Sequence, residues 1–293
     1  MSECTLCPRN CKVNREKGEL GFCGAGSSVK IARASLHYWE EPCISGKDGS
    51  GTVFFSCCNM KCVYCQNYGI STENRGKIVT DEELAEVFLS LQEKGANNIN
   101  LVTPTHFAFQ IMKALDIAKS KGLNLPVVYN CGGYESVETI KMLSGYVDIY
   151  MPDMKYFSDK YAVKYSAAPG YFDIAKAAID EMYRQVGEPA FDKDGIMQKG
   201  VIVRHMMLPG LLFDTKKIID YLYNTYEDDI YISLMSQYTP MPNVKNMPEL
   251  DRKIIEKQYE AMVEYAAGIG VKNAFVQEGS SANESFIPEF CGE

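Results

Sequence analysis

The chain lacks any apolar run approaching the roughly 18 residues that a membrane-spanning helix needs. Residues 1–11 have no apolar core of the kind that marks a secretion signal. Positive charge is in deficit: 30 Lys and Arg face 38 Asp and Glu, a net −8, which argues against a general nucleic-acid binder. Neither a Pro/Ser-rich linker nor an internal repeat interrupts the sequence. With 46% hydrophobic residues, 12 Pro and 23 Gly, the composition excludes low-complexity disorder, collagen and coiled coil. These absences predict a soluble, cytoplasmic protein whose partners are neither membrane nor nucleic acid. Its 293 residues suffice for one large α/β domain or two small ones.

Cysteine is what the chain has in plenty. Of eleven, Cys4, Cys7, Cys11, Cys23, Cys43, Cys57, Cys58, Cys62 and Cys65 fall in the first quarter, and only Cys131 and Cys291 lie beyond. An odd count in a reducing compartment speaks against a disulfide framework. Cysteines serving as small hydrophobes would scatter, as Cys131 and Cys291 do. Clustering at short spacing points to metal. The first 33 residues also carry six Lys and Arg against three Asp and Glu, a basic stretch on an acidic chain.

Past this stretch, apolar periodicity alternates regularly. Strands are predicted at 52–56, 98–102, 126–129, 146–151, 200–208, 230–235 and 273–276. Helices are predicted at 81–94 with Thr80 as N-cap, and at 107–121, 136–143, 171–186, 215–226 and 250–267. Such alternation implies parallel strands joined by right-handed crossovers. The expected fold is α/β: a partial (β/α)6-type TIM barrel over 46–293, with residues 1–45 as a small cysteine-rich metal-binding extension. An open doubly wound sheet is the alternative. Residues 157–168 and 187–199 are expected to be irregular insertions.

Cys58-Asn-Met-Lys-Cys62-Val-Tyr-Cys65 follows the first predicted strand. Three thiolates so spaced can converge from a single loop. A structural zinc would want a fourth protein ligand, whereas an iron–sulfur cubane on three cysteines leaves one iron open to a substrate or cosubstrate. A zinc site or chance surface cysteines is the plain alternative. Cys57 stands one residue too far from Cys62 for the same spacing.

This C-x-x-x-C-x-aromatic-C pattern resembles the signature of the radical S-adenosylmethionine (SAM) superfamily. The resemblance implies that Cys58, Cys62 and Cys65 bind a 4Fe–4S cluster, that SAM chelates its unique iron, and that Tyr64 packs beside the adenine. It also implies one-electron cleavage of the sulfonium carbon–sulfur bond, giving methionine and a 5′-deoxyadenosyl radical that abstracts hydrogen. The electron would come from a donor such as flavodoxin or ferredoxin. Asp48-Gly49-Ser50-Gly51 and the run from Cys58 to Gln66-Asn67 look like the opening of the pyruvate formate-lyase activating enzyme group. Leu36-His37-Tyr38-Trp39-Glu40-Glu41-Pro42-Cys43 is similar to a branch related to those enzymes. That likeness implies a protein substrate, a glycyl radical enzyme; a small-molecule substrate is the other case. The match departs at Ser50, where the group usually has Pro.

In a parallel barrel, functional side chains sit at the C-terminal strand ends. The second predicted strand ends in Thr103-Pro104-Thr105-His106, where the superfamily usually has Gly-Gly-Glu; Thr103, Thr105 and His106 are the candidates to bind SAM's amino group. The third ends at Asn130. The fourth ends in Asp153-Met-Lys155, similar to the pair that contacts the ribose and carboxylate of SAM. Of the adjacent Arg204 and His205, only one can face inward; Arg204 matches the family arginine. Gln237 is a weaker adenosine candidate. The plain alternatives are a surface ion pair for Asp153 and Lys155, a structural salt bridge for Arg204, a helix cap for His106 and a turn for Asn130.

Cys4, Cys7, Cys11 and Cys23 supply four thiolates from a segment too short to fold without a metal or crosslink. Structural zinc and a second iron–sulfur cluster both fit this set. For the whole chain, a non-catalytic iron–sulfur or zinc protein that senses redox state or docks to a partner is the second functional reading.

Overall fold

The computed structural model describes residues 3–277. Its strands are β1 (Val29–His37), β2 (Ser50–Phe55), β3 (Lys77–Val79), β4 (Ile99–Val102), β5 (Val127–Cys131), β6 (Ile149–Pro152), β7 (Ala190–Phe191), β8 (Met197–Met206), β9 (Tyr231–Met235) and β10 (Ala274–Val276). Its helices are α1 (Pro42–Ser45), α2 (Tyr68–Ser71), α3 (Asp81–Glu93), α4 (Ala108–Ser120), α5 (Val137–Met142), α6 (Asp159–Ser166), α7 (Tyr171–Val186), α8 (Leu212–Tyr226) and α9 (Glu256–Ile269).

Strands β2, β4, β5, β6, β8, β9 and β10 lie side by side in that order, all parallel. Each crossover therefore moves the chain one step in the same direction. A doubly wound sheet would reverse direction at a switch point, and none occurs here. Because β10 and β3 end the order and do not pair with each other, the sheet stays unclosed among the described residues: a partial TIM barrel. Every residue of β2 is buried, as a strand covered on both faces must be.

The structure corrects several boundaries. Val29–His37, read as part of the extension, is a strand paired antiparallel with β2, and β3 pairs antiparallel with its start. Residues 157–168 contain α6 rather than an irregular insertion. Within 187–199, β7 folds back on β8 in a short hairpin. The last helix begins at Glu256, not 250, and β8 and α8 each start three residues earlier than their patterns foretold. Thr80 does cap α3, accepting the Glu83 N–H at 3.1 Å while the Glu83 carboxylate accepts the Thr80 N–H at 2.8 Å.

Most of the core lies between the outer sheet face and the helices. A smaller cluster fills the base of the barrel: Cys43 and Ile44 of α1 pack against Val128, Ile149, Met151, Met197 and Ile202. The α1 turn is a plug. Asn98 Nδ2 donates to Ile44 O at 2.8 Å and Asn97 Nδ2 to Ser45 O at 2.6 Å, tying it to the N-terminal end of β4. Among the described residues, no helix is long and apolar enough to cross a membrane.

Candidate active site

At the C-terminal end of β2 the chain turns sharply. Cys57 takes a left-handed backbone (φ 75°), uncommon for a residue with a Cβ, and is buried. From there an irregular loop carries Cys58, Cys62 and Cys65, all half-buried free thiols. The loop is pinned rather than loose: Lys61 N–H donates to Ser166 O at 3.0 Å, Val63 N–H to Tyr165 O at 2.8 Å, and Asn59 Nδ2 to Tyr134 O at 2.6 Å. Each sulfur faces a hydrogen-bonding group. Met60 N–H approaches Cys58 Sγ at 3.4 Å, Ser166 Oγ lies 3.0 Å from Cys62 Sγ, and Ser71 Oγ 3.3 Å from Cys65 Sγ. Burial pushes the Cys58 thiol up to about 12, and Cys62 and Cys65 add like-charge repulsion. Three thiolates in this loop would therefore call for a compensating cation. No three Cys, His, Asp or Glu side chains among the described residues already stand in metal-coordinating geometry.

Beside the thiols, the barrel interior holds a polar network. Arg204 Nε donates to Asp153 Oδ1 at 3.1 Å, one terminal nitrogen to Glu40 Oε2 at 3.2 Å, and the other to Asn130 Oδ1 at 2.6 Å. Lys155 Nζ lies 2.5 Å from Asp153 Oδ2. This ion pair is no surface feature, since the two side chains are only 18% and 16% exposed. Burial opposes ionisation of Asp153, yet Lys155 and Arg204 outweigh it and hold the carboxyl below its ordinary range. Lys155 is also within electrostatic reach of Cys62 and Cys65, which joins the network to the thiolate loop. His205 points to the other side of β8, where its ring nitrogens meet Met154 O at 2.7 Å and Thr215 Oγ1 at 2.9 Å.

The other candidates are dispersed. Thr103 takes a left-handed backbone (φ 59°), and its N–H donates to Asn130 O at 2.8 Å, next to the network. Thr105 instead donates to Glu135 Oε1 at 2.8 Å, and His106 Nε2 pairs with Ser56 O at 2.7 Å; both are buried, and Arg15 of the N-terminal segment donates to the His106 carbonyl at 2.6 Å. Tyr64 stands edge-on to Tyr238, with its hydroxyl 2.6 Å from that of Tyr156. Gln237 is held by Gln277, whose Oε1 accepts its N–H at 3.1 Å, and Gln66 Nε2 donates to its carbonyl at 3.4 Å. Glycine is obligatory at Gly133 (φ 77°), where a Cβ would meet Asp153 O at 2.1 Å.

Sequence reasoning missed Glu40 and Glu41. Both lie immediately before the α1 plug, and burial pushes both carboxyls up while Arg204 opposes it. Glu40 Oε1 also accepts from Asn100 Nδ2 at 3.2 Å. No spacing signals this role, because a turn below the barrel brings them against strands far away in sequence. Tyr156, and Ser166 within the segment 157–168 expected to be irregular, were missed because they meet Tyr64 and Cys62 only across some hundred residues of chain.

The N-terminal cysteines share one neighbourhood. Cys7 is repelled by Cys23 and Cys11, and Cys23 by Cys4 and Cys11, after the larger effect of burial, which pushes Cys7 up to about 12. Phe22 N–H donates to Cys11 Sγ and Ala25 N–H to Cys23 Sγ, each at 3.4 Å. Arg9 docks the module on the thiolate loop, donating to Asn59 O at 2.9 Å and to Ala167 O. Cys131 is buried, and Cys291 lies outside the described residues.

Three comparisons bear on this arrangement. The radical SAM superfamily profile matches residues 52–222. An uncharacterized protein of Methanocaldococcus jannaschii is 31% identical over 273 residues, covering 90% of this chain and 74% of its own. Streptococcus suis SuiB bound to its precursor peptide SuiA superposes with a TM-score of 0.51 at 12% identity, over 76% of this chain and 47% of SuiB. SuiB bound to S-adenosylmethionine gives 0.51 and 12%, over 76% of this chain and 49% of SuiB. The chain thus spans about half the length of these solved chains, and at such identity they speak to the fold alone. From the profile match over more than half its length, with a thiolate loop and a charged barrel mouth at its centre, the chain belongs to the radical SAM superfamily, whose members are enzymes that use a 4Fe–4S cluster and S-adenosylmethionine.

Proposed function

We propose that Cys58, Cys62 and Cys65 hold the 4Fe–4S cluster and that Asp153, Lys155, Arg204, Asn130 and Thr103 position SAM in the barrel mouth beside it. The observation that carries this reading is Lys155, which lies within electrostatic range of Cys62 and Cys65 and is paired with Asp153, itself bound to Arg204. The donor set fits the group: three thiols from one pinned loop, each met by a hydrogen-bonding group. When bound, the reduced cluster supplies the electron that cleaves the sulfonium carbon–sulfur bond. Lys155 and Arg204 present cationic donors to a carboxylate, and Asp153 and Asn130 offer acceptors to hydroxyl or ammonium groups. Arg204 is held in place from three sides, so its donors are oriented before a ligand arrives.

The substrate class we favour is a glycine of a protein, in the manner of the pyruvate formate-lyase activating enzymes, with flavodoxin or ferredoxin as electron donor and neither membrane nor nucleic acid as partner. It rests on the resemblance of the run from Cys58 to Asn67 and of the Trp39-Glu40-Glu41-Pro42 segment. Cys4, Cys7, Cys11 and Cys23 are proposed to bind a second metal, zinc or iron–sulfur, on their shared neighbourhood. A non-catalytic metal sensor remains the competing reading.

Anaerobic reconstitution followed by reduction with SAM separates the two. Release of 5′-deoxyadenosine, abolished in a folded Cys58→Ala variant, is the expected result; product that survives Cys58→Ala removes the assignment. Mixing with a glycyl radical enzyme tests the substrate, since a glycine-centred electron-spin signal must appear.

A further inference from the structure

We propose that Ser166, Tyr156 and Tyr64 form a buried hydroxyl relay that donates to the Cys62 sulfur and raises the reduction potential of the cluster; this rests on Cys62 being a cluster ligand. The chain is continuous. Ser166 Oγ lies 3.0 Å from Cys62 Sγ, Tyr156 OH 2.7 Å from Ser166 Oγ, and Tyr64 OH 2.6 Å from Tyr156 OH. Ser166 and Tyr156 are fully buried and Tyr64 is 4% exposed.

Proton counting fixes the direction of the chain. Each hydroxyl has one proton to donate, and a ligating thiolate has none. Ser166 therefore gives its proton to Cys62 and accepts from Tyr156, which in turn accepts from Tyr64. All three dipoles then point at the sulfur, and each bond polarises the next in a dry environment. Reduction adds one negative charge to the iron and sulfur atoms. Donors aimed at a ligand sulfur stabilise that charge more than the oxidised state, so the potential rises.

The fold holds the donor to its acceptor. Ser166 ends α6, and its carbonyl accepts the Lys61 N–H within the thiolate loop at 3.0 Å, so loop and donor are fastened together. Cys58 is met instead by a backbone N–H from Met60, and Cys65 by the hydroxyl of Ser71 on α2. Among the described residues, only Cys62 has buried phenols behind its donor.

The test is a redox titration of the reconstituted, SAM-free protein, following the electron-spin signal of the reduced cluster. Ser166→Ala is expected to lower the reduced-to-oxidised ratio at fixed potential about tenfold, which is about 59 mV for one electron. Tyr156→Phe should shift it less and Tyr64→Phe least, all in the same direction. Electron–nuclear double resonance in deuterated water should show an exchangeable deuteron near the cluster that Ser166→Ala removes. An unchanged potential in Ser166→Ala with its cluster intact overturns the relay. Should that variant fail to assemble a cluster, the near-isosteric Tyr156→Phe decides: a potential equal to wild type overturns the proposal. A wild-type protein that assembles no cluster defeats the proposed function, and the relay with it.

Discussion

Arg204 is committed to Asp153, Glu40 and Asn130 at once, three partners from three parts of the chain. A lysine is a point charge on a flexible stem and cannot serve all three. Arg204→Ala removes the cation that Glu40 and Asp153 share, and breaking such a buried pair costs about 3–5 kcal/mol. Urea unfolding should show that loss. Glu40→Gln, which keeps the shape, should leave the fold intact and weaken SAM binding in equilibrium dialysis. Glu135 makes a prediction in pH. Burial pushes its carboxyl from 4.5 up to about 7, and hydrogen bonds from Thr105, Tyr129 and Cys131 only partly hold it down. Between those values the native state keeps a proton that the unfolded chain has released. Its stabilising effect is therefore complete below 4.5 and is lost as pH rises through about 7. That loss amounts to about 3 kcal/mol. Urea midpoints at about pH 5 and about pH 8 should differ by less in Glu135→Gln than in wild type.

At the level of elements, β2 matters most because it launches the thiolate loop. Gly51 lets it approach β4: a Cβ there would stand 2.6 Å from Asn98 O. Gly51→Ala must push the two strands apart, a strain of about 1–3 kcal/mol. The expected outcome is a lower thermal midpoint together with less iron per chain after reconstitution. The parallel strands were legible because each is a short apolar run between turn signals, with helical periodicity following. β1 was not. Its side chains are mostly half-buried on both faces, so no alternation marks it. α6 escaped notice because its apolar positions are few and its Tyr161 and Tyr165 pack on each other at the rim.

Across the whole molecule, two elements that precede β2 meet the active site from opposite sides. The plug brings Glu40 up from the base, and the N-terminal module bears on the thiolate loop through Arg9. Metal at Cys4, Cys7, Cys11 and Cys23 would hold the second of these rigid. A Cys4→Ser, Cys7→Ser double variant should then lose one metal site by elemental analysis and become open to limited proteolysis within residues 1–28, while the cluster's visible absorption remains. Loss of no metal would remove the module's site without touching the barrel.

The superfamily and the barrel could be read from the chain alone, since three cysteines on a fixed short spacing and a regular strand–helix alternation are local properties, carried by neighbours in sequence. Local too was the rule that only one of Arg204 and His205 faces inward, since successive side chains on a strand alternate; the resemblance to the family arginine selected Arg204. Only the tertiary structure decided which strand-end residues meet. It paired Thr105 with Glu135 and His106 with the Ser56 carbonyl, drew Glu40 and Glu41 into the interior, and set Tyr156 and Ser166 behind Cys62. Those placements follow from how the sheet curls and where a four-residue plug lodges. Such contacts join residues far apart in the chain, and no short-range pattern encodes them.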